Sequence, residues 1–109
     1  MNSPTFLRVD KATFYKFISG PHEGRYEYEK GFIVQQTTGG TFTHHMLGAR
    51  IVRVLGQLLD AASYDVLFEY GVETADTIRY PDVVALASGS SPHAQATREP
   101  VLVIEIISP

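Results

Sequence analysis

The C-terminal stretch Val101-Leu-Val-Ile-Glu-Ile-Ile-Ser-Pro109 sets one carboxylate, Glu105, inside a dense run of Val, Leu and Ile. A run of this kind reads as a strand buried on both faces, in the middle of a parallel or mixed sheet. An ionised carboxylate in such a place costs several kcal/mol unless a cation or a donor compensates it. Immediately outward lies a second apolar run opened by an acid, Pro81-Asp-Val-Val-Ala-Leu-Ala87, which places Asp82 at the head of another core strand. Two acids on two core strands point to a shared cation.

Further outward the pattern alternates between helix and strand. Tyr64 to Val72 and Ile78 to Ala87 read as strands joined through Glu73-Thr-Ala-Asp-Thr77. Ser88 to Pro100 is a Ser, Gly and Pro-rich connection with one helical turn around His93 to Thr97. A long helix runs from Thr43 to about Ala62, with Leu47, Ile51, Leu55, Leu58, Leu59 and Ala62 as its apolar stripe. Gly39-Gly40 breaks the chain before it. Arg25-Tyr-Glu-Tyr-Glu29 and Phe32-Ile-Val-Gln-Gln36 flank Lys30-Gly31 as a hairpin with the glycine left-handed. Asp10 caps a short helix, Lys11 to Ile18, which Gly20-Pro21 ends. The sum is an α/β fold: a central mixed β-sheet flanked by helices.

The 109 residues hold at most one small domain. The chain stops two residues after its most apolar strand, so it reads as the N-terminal part of a longer, incomplete domain. The alternative is a minimal protein covered by a partner chain. A hydrophobic content of 44% argues against disorder. No stretch approaches a membrane span and no signal peptide opens the chain. The absence of cysteine removes disulfides and thiolate metal sites and fits a cytoplasmic location. A net charge of −3 disfavours nucleic acid as a whole-molecule field but leaves room for a local basic face.

Each candidate residue has a plainer reading. Asp82 after Pro81 can simply begin a strand, its carboxylate satisfied by local backbone donors. Glu105 can pair internally with Arg79, Arg53 or Arg50. Glu27, between Tyr26 and Tyr28, can be a solvent-facing strand residue. His44 and His45 diverge by about 100° as helical neighbours and do not share one zinc ion. His44 belongs to N-terminal helix chemistry first and to the acidic cluster second. The tyrosines at 26, 28, 64, 70 and 80 are sheet residues before they are stacking platforms. Phosphate-cradling glycine motifs and a Gly-x-Ser-x-Gly elbow are absent, so Ser108 is a weak nucleophile candidate.

Four segments in order carry a resemblance: Arg25-Tyr-Glu-Tyr-Glu-Lys-Gly-Phe-Ile-Val34, His44 at the head of the long helix, Tyr80-Pro-Asp-Val-Val84 and Leu102-Val-Ile-Glu-Ile-Ile-Ser-Pro109. From about Ala12 to Pro109 the sequence resembles the Uma family within the PD-(D/E)xK nuclease superfamily. The resemblance implies a restriction-endonuclease-like fold and metal-dependent hydrolysis of nucleic acid phosphodiesters, with DNA the expected substrate. It also implies Mg²⁺ or Mn²⁺ as cofactor, Asp82 and Glu105 as metal ligands, the Ile106 backbone carbonyl as a further ligand, and Glu27 as an assisting acid. Where the superfamily has a lysine, two residues after the second acid, this chain has Ile107. In the Uma group a lysine is thought to come from a later helix, so residues 1–109 alone are expected to be nearly inactive. An exposed sheet face is expected to leave the isolated chain marginally stable or dependent on self-association, for instance as a homodimer. The competing reading is a non-catalytic nuclease-fold relic that binds nucleic acid or a protein partner.

Overall fold

A computed structural model describes residues 7–36, 41–90 and 95–107. The Gly39-Gly40 break, Ser108 and His93 lie outside the described residues. The elements are α1 (Lys11–Ser19), β1 (Arg25–Glu29), β2 (Phe32–Gln36), α2 (Phe42–Leu58), β3 (Tyr64–Phe68), β4 (Gly71–Glu73), β5 (Thr77–Arg79), β6 (Val83–Ala87), β7 (Ala96–Thr97) and β8 (Leu102–Ile104). The mixed α/β class holds, but the strands divide between two sheets rather than one central one. The order is β2-β1-β5-β4-β7 in the first sheet and β3-β6-β8 in the second.

The first third follows local chemistry closely. Asp10 accepts the Thr13 N–H at 2.8 Å and so caps α1. Lys30 and Gly31 both have positive φ, 49° and 94°, the backbone of a two-residue turn that matches strand twist and joins β1 to β2. α1 then lays Phe14 against Tyr28 and Ile78, and these three form a closed core under the larger sheet.

The two strands expected at 64–72 and 78–87 form one antiparallel ribbon with a fault in it. Phe68 faces Val83 in the smaller sheet and Val72 faces Arg79 in the larger, so the register continues unchanged from one to the other. Between them stand Glu69, with φ of 51°, and Pro81, which has no N–H to give to a ladder. One backbone bond, Glu69 N–H to the Asp82 carbonyl at 3.1 Å, carries the pairing across the fault. The ribbon therefore serves both sheets, and Asp82 sits at their junction. Gly71, just past the fault, approaches the chain around Gln95 so closely that a Cβ would meet a backbone oxygen at 2.5 Å. This contact lets β7 pair parallel to β4. Ala96 and Thr97 are therefore strand, where one helical turn was expected.

Two expectations are corrected by packing. The last apolar run is not a central strand: among the described residues β8 lies at the edge of the smaller sheet, pairs only with β6, and leaves Leu102 and Val103 about two-fifths exposed. The strand buried on both faces is β6, whose residues Val83 to Leu86 are all buried. A run rich in β-branched residues predicts a strand, but its neighbours in space decide whether it is central. Helix α2 begins one residue earlier than expected, capped by Thr41, and ends at Leu58. There Asp60 captures the Ala62 N–H and the Ser63 hydroxyl in a turn. Of the expected stripe on α2, Leu47 and Leu58 are exposed, and the one buried residue of the helix is Gly48.

Candidate active site

Extending the β6–β8 register by one step from Val83 opposite Ile104 sets Asp82 opposite Glu105. Directly opposed residues of an antiparallel pair share a face, so the two carboxyls meet. The reading that Asp82 is satisfied only by its own neighbours fails, because its partners are remote in sequence. Its Oδ2 accepts the Ile106 N–H at 2.6 Å, and His44 Nε2 lies 3.1 Å from its Oδ1. Ile106 thus reaches the site through its N–H in this contact.

His44 arrives there because Thr41 caps α2. The threonine hydroxyl accepts the His44 N–H at 3.1 Å, fixing the first helical turn over the junction. Gly48, one turn on, has no side chain to hold the helix off: a Cβ there would already be 3.4 Å from Ile106. The result is a small cleft lined by His44, His45, Gly48, Phe68, Glu69, Asp82 and Ile106.

Glu27 approaches from the larger sheet. Its side chain accepts the Tyr80 N–H at 3.2 Å and the amide of Gln36. It is half-buried and not the solvent-facing strand residue of its plain reading. Tyr80, two residues before Asp82, has its hydroxyl buried without a hydrogen-bond partner among the described residues, and burial followed by the Glu27 charge pushes that phenol up to about 12.

Three acids in one place leave an electrostatic mark. The Glu105 carboxyl is held above the usual carboxylate range by desolvation, by the charges of Asp82 and Glu27 and by a hydrogen bond with Asp82; Arg25 pulls it back. Glu105 itself keeps contact with solvent. The cation whose charge acts on Glu105 is Arg25; Arg79, one of its expected partners, is bonded to Glu29 at 2.6 Å. Ile107, at the position where the superfamily has its lysine, is 90% exposed.

Among the described residues no three His, Asp or Glu side chains converge tightly enough to hold a metal ion alone. The donor set still suits a hard divalent cation, because Mg²⁺ takes one or two carboxylates and completes its octahedron with water and phosphate oxygens.

The mixed α/β architecture, with two sheets and two helices, is consistent with a restriction-endonuclease-like domain. The profile of the Uma2 family, described as "putative restriction endonuclease", matches residues 12–109, and the chain belongs to that family. No curated protein and no solved structure matches the chain. No described helix is long and apolar enough to cross a membrane.

Proposed function

We propose that this protein is a metal-dependent endonuclease whose Asp82 and Glu105 hold Mg²⁺ or Mn²⁺, with the Ile106 carbonyl as a further ligand and DNA as substrate. The observation that carries the reading is the opposition of Asp82 and Glu105 across β6 and β8, with the Glu105 carboxyl pushed up by its neighbours. When bound, the ion supplies a lowered pKa for an attacking water and neutralises charge gathering on the phosphate. The chain's own residues set the frame for this. His44 and the Ile106 N–H hold the Asp82 carboxylate in one orientation, and Glu27 ties β1 to the backbone before Asp82. In the hydrolysis, a bond forms between the water oxygen and phosphorus while the ester P–O bond breaks with its electron pair on the leaving oxygen. The water's proton passes to solvent and the leaving oxygen is reprotonated from solvent.

The test is thermal melting with and without Mn²⁺, together with nicking of supercoiled plasmid. A ligand at a hundredfold its Kd stabilises by about 2.7 kcal/mol, so a saturating ion raises Tm clearly. Asp82→Asn and Glu105→Gln each abolish the rise and any nicking. A Tm indifferent to Mn²⁺ in the parent chain refutes the metal site. The second reading, a non-catalytic nucleic-acid-binding module, is favoured by Ile107 standing in place of a lysine; its outcome is duplex binding with neither metal response nor nicking.

A further inference from the structure

Arg25 lies two residues before Glu27 and therefore projects from the same face of β1. Its Nη2 donates to the Tyr80 carbonyl at 3.3 Å, while Glu27 accepts the N–H of the same residue. The two side chains bracket the backbone that leads into Pro81 and Asp82. The other guanidinium nitrogen, Nη1, donates to Glu69 at 3.3 Å, and Glu69 lines the cleft beside Asp82 and His44. The Arg25–Glu69 pair is long and open, with side chains 37% and 53% exposed, so water screens it and little holds it closed. Three other cations are committed elsewhere: Arg79 to Glu29, and Lys11 and Arg98 to the buried Glu73.

We propose that Arg25 is the phosphate-binding cation of this site, exchanging its loose contact with Glu69 for the non-bridging oxygens of a substrate phosphodiester. A guanidinium is charged at every working pH and its planar fork matches two phosphate oxygens at once. It stands where three carboxylates would otherwise repel an anionic substrate. Its link to the Tyr80 carbonyl holds it at the junction while the outer nitrogen is free to change partner. Glu69 is then a competitor for the guanidinium, with a sign of effect opposite to that of Arg25. The inference takes its substrate class from the nuclease reading, and its residue from the geometry around Tyr80.

The experiment measures binding of a short fluorescein-labelled DNA duplex by anisotropy, with Ca²⁺ in place of Mn²⁺ and across a salt series, alongside the melting response to Mn²⁺. Arg25→Gln is expected to weaken binding about tenfold, the worth of one charge-assisted contact, and to lower the salt slope by about one unit. Arg25→Lys recovers part of the loss. Glu69→Gln tightens binding a few-fold, and that gain vanishes in the Arg25→Gln background. Arg25→Gln keeps its Mn²⁺ melting response while Asp82→Asn loses it, which separates a phosphate contact from a brace of the metal site. Unchanged binding in Arg25→Gln, or a Glu69→Gln gain that survives without Arg25, overturns the inference. A parent chain that responds to Mn²⁺ but ignores the duplex overturns it and leaves the metal site standing; a parent that does neither overturns both readings.

Discussion

Where α1 crosses the five-stranded sheet, Phe14, Tyr28 and Ile78 are closed off from solvent, with Val9, Ile18 and Ile33 around them. Where α2 lies beside the three-stranded sheet, Val54, Leu58, Phe68 and Val103 remain between 43% and 75% exposed. The two halves share one ribbon, and the elements of the open half are the more apolar, so apolar composition does not explain which half is closed. The difference lies in what each helix brings to its sheet. α1 inserts an aromatic ring that fills the space between strands, whereas α2 makes its closest approach through Gly48, which brings backbone near but supplies no volume. The open half is also where the candidate site lies. Burial and chemistry have been divided between the two ends of the ribbon, with the Pro81 fault as the boundary.

The largest expected effect breaks this comparison at its closed end. Phe14→Ala removes a fully buried ring and is expected to cost about 3–5 kcal/mol, enough to lower Tm by roughly 15 °C or more. The equivalent change at the open end, Leu58→Gln, is expected to stay within about 0.5 kcal/mol because that side chain is 75% exposed. Calorimetry on both variants is the measurement, and similar losses would show that α2 is packed far more firmly than its exposure indicates.

Two glycines sharpen the same contrast. Gly71→Ala drives a Cβ into a backbone oxygen of Gln95 at the β4–β7 contact and is expected to cost about 1–3 kcal/mol. Gly56→Ala, in the last turn of α2 with nothing within 4 Å of the new Cβ, is expected to stabilise by roughly 0.5 kcal/mol. Urea titration gives both signs in one series.

Two acids of opposite character distinguish the halves by pH. Glu73 is buried in the larger sheet: desolvation alone raises its carboxyl, but hydrogen bonds from Tyr15 and Arg98 and the charges of Lys11 and Arg98 outweigh it and leave it below the usual range. Its contribution is present above pH 4.5 and lost as pH falls through the lowered folded value. Glu105 has the reverse sign, since its folded pKa lies above 4.5. The native state holds that proton more tightly than the unfolded chain, so without divalent metal stability falls as pH rises from 4.5 through the raised folded value. Glu73→Gln is therefore expected to destabilise at neutral pH by about 1–3 kcal/mol, with the gap narrowing on acidification. Glu105→Gln is expected to be more stable than the parent at neutral pH and equal to it in acid. Chemical denaturation across a pH series checks both; a Glu105→Gln variant that is weaker than the parent at neutral pH would remove the case for carboxylate crowding.

Much of the site is legible in the amino-acid sequence, and the reasons are local. Asp82 opens one apolar run and Glu105 interrupts another, places where a charge is conspicuous, but only the register of β6 against β8 brings them opposite each other. Arg25 is not legible as part of the site. The signal for it is present in two pieces, its spacing of two from Glu27 and the missing N–H at Pro81, but only pairing of β1 with β5 brings the first against the second. His44 is half legible: its place at the head of α2 follows from the sequence, while its contact with Asp82 depends on the angle at which Gly48 lets the helix lie on the sheet.

By itself the sequence determined α1 with its Asp10 cap, the Lys30-Gly31 turn and the strand character of β6. Those features rest on interactions within a few residues or on a strict alternation that any pairing preserves. Only the tertiary structure decided that the ribbon breaks into two sheets and that β8 stands at an edge instead of the centre. It also decided that the stripe of α2 remains open and that Arg25 is the cation beside Glu105. These depend on which surfaces meet across long separations, and an apolar run states only that a segment seeks cover, not which neighbours supply it.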